Sequence, residues 1–216
     1  MHDLKGQDDQ SVHEISEGRT GTRFLQSGPI GKGILCLAHE QMTQEPDKYG
    51  AEFCRRVLST VPQGGVRALV SNPKPDLLVK FACQTIWRMA VSKHGRGEEA
   101  LGPYAANLRE VVFAGSNRHP LLFLARNHLT VEHRSEATLA IAPFPIRLGS
   151  VRCWLFSISG VQFYLKLDQR QLPGERDGFA ANGADPVMLI QLDQREAHET
   201  PILQGIMRNA ARKLEQ

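Results

Sequence analysis

Two soft metal ligands stand at metal-binding spacing in Gly33-Ile34-Leu35-Cys36-Leu37-Ala38-His39-Glu40, directly after a strand-like apolar run. On a tight turn, Cys-x-x-His lets a thiolate and an imidazole reach one tetrahedral ion, so zinc binding is the chemistry expected of Cys36 and His39. Zinc takes four protein ligands, or three and a water, which makes the pair half of a site. The competing reading is a buried thiol at Cys36 and an ordinary turn residue at His39. A missing ligand, or a general base, would have to come from an N-terminal arm that carries His2 and His13. Surface histidine is the plainer reading of both.

Other chemistry-bearing residues are more dispersed. Arg126-Asn127-His128 and Glu132-His133 form a second His/Glu group, but alternation along a strand turns His128 and His133 to opposite faces. Glu40, Glu45 and Asp47 have the composition of a Mg²⁺ site, although acidic residues at a helix start are also expected from the helix dipole. Arg55, Arg56, Arg88, Lys93, Arg96 and Arg109 give the helical half a basic bias suited to phosphates or to an acidic partner, against the commoner reading of a solvated face. The chain has no glycine-rich phosphate loop, no Walker motif and no Gly-x-Ser-x-Gly elbow.

The elements that must position these residues follow from periodicity. Residues 1–32 are polar, with few large apolar groups, and read as an irregular arm. Residues 33–115 read as a helical region. Glu45-Pro46-Asp47 is a helix start with proline in the first turn, and Tyr49, Phe53 and Val57 continue as one stripe to about residue 60. A short strand is expected over 66–72. Asp76 opens the helix with the best pattern in the chain, in which Leu77, Leu78, Phe81, Ala82, Thr85, Ile86, Met89 and Ala90 share a face. Val79, Cys83 and Trp87 make it apolar on further sides, as befits a central helix. A third helix is expected over about 98–113.

Residues 116–216 change period. Short strands are expected at 121–125, 138–142, 151–158, 161–167 and 187–192, with Ser159-Gly160 as a two-residue hairpin turn. The polar stretch 168–185 reads as an exposed mobile loop. Thr200-Pro201 opens a closing amphipathic helix. Helices first, then an antiparallel sheet, then one helix gives an α+β fold.

Composition sets the outer limits. The chain has 216 residues, 41% hydrophobic and 23% charged, with a formal net charge of +3. That charge permits a nucleic-acid partner without demanding one. No apolar run is long enough to span a membrane, and the N-terminus has no signal-like apolar core, so the expectation is a cytoplasmic protein without membrane contact. The four cysteines follow no disulfide pattern and should be free thiols, Cys54 and Cys83 within helical core.

Gly33-Ile34-Leu35-Cys36-x-x-His39-Glu40, with Asp47 and Tyr49 after it, resembles a bacterial and prophage group of HNH-endonuclease-like proteins. Phe81 through Trp87-Arg88 and the pair Leu108-Arg109 extend the likeness over residues 28–113. The group's Cys-x-x-Cys knuckle and Ser-His-x-x-Pro segment, which carry the first zinc pair and the base histidine, have no counterpart here. His39 replaces the second cysteine of the later pair and can still ligate zinc. The resemblance therefore implies a degenerate protein of a mobile element that holds a structural zinc. It would bind nucleic acid or a defence-system protein without cutting, as a monomer or a homodimer. The alternative is a metal-dependent DNA endonuclease completed by His13 or by a partner chain.

Overall fold

The central strands carry apolar residues on both faces, and the helices cover one of those faces. The computed structural model describes residues 12–14, 23–25, 34–59, 67–92, 97–127, 129–131, 135–137, 140–172 and 179–192. The order is β1 (Val12–Glu14), β2 (Arg23–Leu25), α1 (Leu37–Ser59), β3 (Arg67–Val70), α2 (Pro75–Val91), a 3-10 turn (Glu98–Tyr104), α3 (Ala105–Phe113), β4 (Leu121–Asn127), β5 (Leu129–Val131), β6 (Ser135–Ala137), β7 (Ile141–Leu148), β8 (Val151–Ile158), β9 (Val161–Lys166) and β10 (Val187–Leu192). The fold is α+β, helical region first. No helix among the described residues is long and apolar enough to cross a membrane.

α1 begins two turns before Pro46, which lies inside the helix rather than in its first turn. A proline there lacks the N–H that would bond the Met42 carbonyl and crowds the preceding turn, which is why the sequence reads as a helix start. Neighbouring side chains hold the interrupted segment. Thr43 Oγ1 donates to the Glu40 carbonyl at 2.9 Å. Gln84 Nε2 donates to the Thr43 carbonyl at 3.1 Å and to Asp47 Oδ1, and Arg88 reaches Asp47 Oδ2 at 2.6 Å. A buried glutamine on α2 thus splints α1 where proline weakens it.

α2 opens with Pro75 at its first position and is the central helix, packed against α1, α3 and the sheet. Phe81 stands edge-on to Phe156 and Phe163 at 6.0 Å and 5.5 Å, and those two rings stack at 4.7 Å. Such pairs add about 0.5–1.5 kcal/mol each beyond area burial. Gly50 on α1 meets the Phe81 ring so closely that a Cβ would lie 2.5 Å from its nearest atom. Helices and sheet share one core, in which Phe53, Leu78, Ile86, Leu108, Leu122, Phe156 and Phe163 are buried. The expected third helix is divided, because Gly102 adopts a φ of 57° and breaks the 3-10 turn from α3.

The main sheet runs β3-β10-β4-β9-β8-β7. It is mixed rather than wholly antiparallel: β10 lies antiparallel to β3 and parallel to β4. Ser159 and Gly160, with φ of 48° and 71°, make the expected β8–β9 turn. Two short strands, β5 and β6, precede β7, which starts later and runs longer than the 138–142 strand expected. The arm contains an antiparallel ribbon, β1 with β2, where irregular chain was expected.

The stretch 168–185 also departs from expectation, since both of its described ends dock. Leu172 is buried beneath the second face of the sheet beside Phe123 and Cys153. Ala181 N–H donates to the Leu122 carbonyl at 2.7 Å, and Asn182 Oδ1 accepts from Leu122 N–H at 2.8 Å. These bonds continue the ladder of β4, which polar composition alone does not reveal. The expected closing helix from Thr200 lies outside the described residues.

Candidate functional site at the head of the first helix

Cys36 immediately precedes α1 and His39 occupies its first turn, so three residues of chain close back on themselves. Glu40 N–H donates to the Cys36 carbonyl at 2.9 Å, which fixes that turn. Cys36 Sγ and His39 Nδ1 are 3.3 Å apart, and both residues are exposed. The structure therefore brings the two expected ligands together. No group of three or more His, Cys, Asp and Glu at metal-binding distance occurs among the described residues.

The wall beside them is aromatic. The His39 ring packs on Phe113 at 4.6 Å, and Phe113 meets Trp87 edge-on at 5.1 Å. Trp87 Nε1 donates to Glu98 Oε1 at 3.0 Å, and Arg109 Nη1 lies 3.9 Å from Glu98 Oε2. A cavity of about 350 Å³ opens between Ile34, Leu35, Cys36, His39, Arg109 and Phe113. Leu37 and Met42 on α1 are 76% and 49% exposed, large apolar side chains that the fold leaves uncovered. Trp87 and Phe113 were not expected at this site. Helical spacing marked Trp87 only as an apolar residue on a further side of α2, and it did not single out Phe113.

Of the described basic residues, only Arg109 reaches it. Arg55 and Arg56 lie sixteen and seventeen positions along α1 from His39, about 24 Å away at 1.5 Å per residue. Arg56 Nη2 donates to the Ser71 carbonyl. Arg88 is drawn inward, bonded to Asp47 and to Thr43 Oγ1. Asp47 is thereby committed to that network. Arg109, 58% exposed, is the basic residue at the cavity.

His13 lies on β1 opposite Phe24 in the backbone register. His2, Lys93, Arg96, His128 and His133 lie outside the described residues. Of the cysteines, only Cys36 is exposed. Burial pushes the Cys54 thiol up to about 12 and the Cys83 thiol higher still.

The site is thus a thiol and an imidazole in contact, beside an apolar and aromatic cavity with one guanidinium at its edge. No family model, no curated protein and no solved structure matches the chain.

Proposed function

We propose that this chain is a non-catalytic binding protein of HNH-like descent, whose Cys36–His39 turn is a zinc half-site and whose helical layer meets a protein partner. The observation that carries the reading is the 3.3 Å separation of Cys36 Sγ and His39 Nδ1. Bonds of about 2.3 Å to sulfur and about 2.0 Å to nitrogen, at a tetrahedral angle, set two ligands of one zinc about 3.5 Å apart. The pair fits that requirement with little adjustment. A second copy's Cys36 and His39 would complete a Cys₂His₂ set, so a zinc-bridged homodimer is the concrete form of the proposal. Zinc would act there as a structural clamp.

The surroundings favour protein over nucleic acid as the partner. Leu37 and Met42 present apolar surface at this end of α1, whereas Arg88 is bonded within the fold and Arg55 and Arg56 are distant. Nucleic acid is the second reading, favoured by Arg109 at the cavity edge. A defence or counter-defence protein is the partner class that the resemblance suggests. Catalysis is disfavoured because the Ser-His-x-x-Pro segment of the resembled group has no counterpart in this sequence, which leaves His13 as the candidate base.

The test is metal content with oligomeric state. The purified protein should carry about one zinc per two chains, and Cys36→Ala should lose both zinc and dimer. A folded protein without zinc removes the reading. Plasmid incubated with Mg²⁺, Mn²⁺ or Ni²⁺ should stay intact, and nicking that disappears in His13→Ala would restore the endonuclease. DNA binding that falls steeply with salt and weakens in Arg55→Ala/Arg56→Ala would shift the partner to nucleic acid.

A further inference from the structure

We infer that a second cavity, between the β7–β8 hairpin and the 3-10 turn, binds a phosphate carried on a planar aromatic ring, the chemistry of a nucleotide. It is distinct from the Cys36–His39 turn and does not depend on the function proposed there.

The hairpin register sets Arg147 directly opposite Arg152, and Pro145 opposite Trp154. Directly opposed residues on neighbouring strands have Cβ atoms about 4.5–5.5 Å apart, and like charges placed so repel. No described residue relieves them. Both arginines are exposed, and neither guanidinium has a hydrogen-bond or carboxylate partner among the described residues. Asp168, which accepts the backbone N–H of Arg152, is committed to Arg170 through Nε and Nη2. Among the described residues, two adjacent positive charges thus stand without a counter-charge, an arrangement that a dianion would relieve.

They stand at a pocket of suitable size. Leu101 and Tyr104 from the 3-10 turn, with Trp154, Leu167 and the two arginines, line a cavity of about 420 Å³. Small-molecule sites run from about 300 to 1,000 Å³ and pair apolar walls with a few placed polar groups. Guanidinium forks match phosphate oxygens in bidentate fashion. The half-buried Tyr104 ring, with the exposed Pro145 across the pocket, offers a surface on which a base can stack. A bare phosphate would leave the apolar surface at Tyr104 and Pro145 wet, and a bare base would leave the two charges in conflict. Only a ligand with both parts uses the whole site.

A free mononucleotide and the 5′-phosphorylated end of a single strand share that chemistry. Calorimetry with adenosine 5′-monophosphate, and with a short 5′-phosphorylated oligonucleotide, tests the site and separates these sources. At least one should bind saturably, and the one that binds names the source. Arg147→Ala and Arg152→Ala should each weaken that binding roughly tenfold, as expected for loss of a charge-assisted contact. Both are exposed positions, so folding should survive. Arg152→Lys should recover only part of the loss, because an ammonium keeps the charge without the fork. Inorganic phosphate or adenosine binding as tightly as the joined ligand would overturn the inference. So would failure of both probes to bind, or binding that persists in Arg147→Ala/Arg152→Ala.

Discussion

Gly50→Ala sets two effects of opposite sign against each other at the contact between α1 and α2. On intrinsic propensity alone, alanine in a helix interior is favoured over glycine by about 1 kcal/mol. The structure opposes that gain, since a Cβ at Gly50 would lie 2.5–2.6 Å from three carbons of the Phe81 ring. Ordinary carbon contacts lie at about 3.5–4.0 Å, so ring or helix must shift by about 1 Å. Phe81 has little room to do so, because it is edge-on to both Phe156 and Phe163. Overpacking of a filled core costs about 1–3 kcal/mol, and loss of an aromatic pair geometry a further 0.5–1.5 kcal/mol or so. The clash therefore outweighs propensity, and a net loss of about 2 kcal/mol is expected. Urea unfolding followed by circular dichroism measures it, as a lower midpoint at unchanged slope. Gly50→Ala/Phe81→Leu should lose less than the two single changes together, since a smaller side chain admits the new methyl. An alanine variant as stable as the parent, or more so, would refute the close approach of the two helices.

Three further outcomes are expected. Asp47→Ala leaves Arg88 and Gln84 without their shared acceptor; with side-chain exposures of 23% for Arg88 and 38% for Asp47, the cost should fall below that of a fully buried pair, near 2 kcal/mol by thermal unfolding. Once a chelator has removed zinc, a disulfide reagent on the folded protein at pH 8 should modify Cys36 rapidly and the buried Cys54, Cys83 and Cys153 only on unfolding, with the fast phase absent in Cys36→Ala. Hydrogen bonds from Arg170 hold the Asp168 carboxyl well below its usual range, so its contribution is present above about pH 4, the unfolded value, and lost as pH falls below it. The stability gap between parent and Asp168→Asn should accordingly be constant near neutrality and shrink in acid, and a gap that widens in acid would contradict the assignment.

Where local pattern and tertiary need agree, the sequence was legible. α2 announces itself because its apolar positions follow the helical period, although it opens at Pro75 rather than being capped by Asp76, which lies in its first turn. β10 matches its expected bounds, and the Ser159-Gly160 turn its expected place. α1 was misjudged at its start, because the bonds from Gln84 that tolerate Pro46 come from another helix. The parallel pairing of β10 with β4 was likewise hidden, since alternation reports which face a residue takes and not which strand lies beside it. At the first site Cys36 and His39 could be named from spacing, while Phe113 and Trp87 could not. The Arg147–Arg152 pair was invisible for a related reason: it exists only through the register of a hairpin.

That β10 sits between β3 and β4 has a consequence for how the protein is made. As a chain leaves the ribosome, β3 and β4 emerge with a gap one strand wide between them, and the strand that fills it comes after all the others of the sheet. Until Val187–Leu192 arrives, β4 offers one bare edge of N–H and C=O groups and β3 offers another. Closing the gap joins residues far apart in sequence, which makes it a slow step. Two nascent or partly opened chains at high local concentration can close it for each other by exchanging the late strand, so the route to the native sheet and the route to an intertwined pair share one final move.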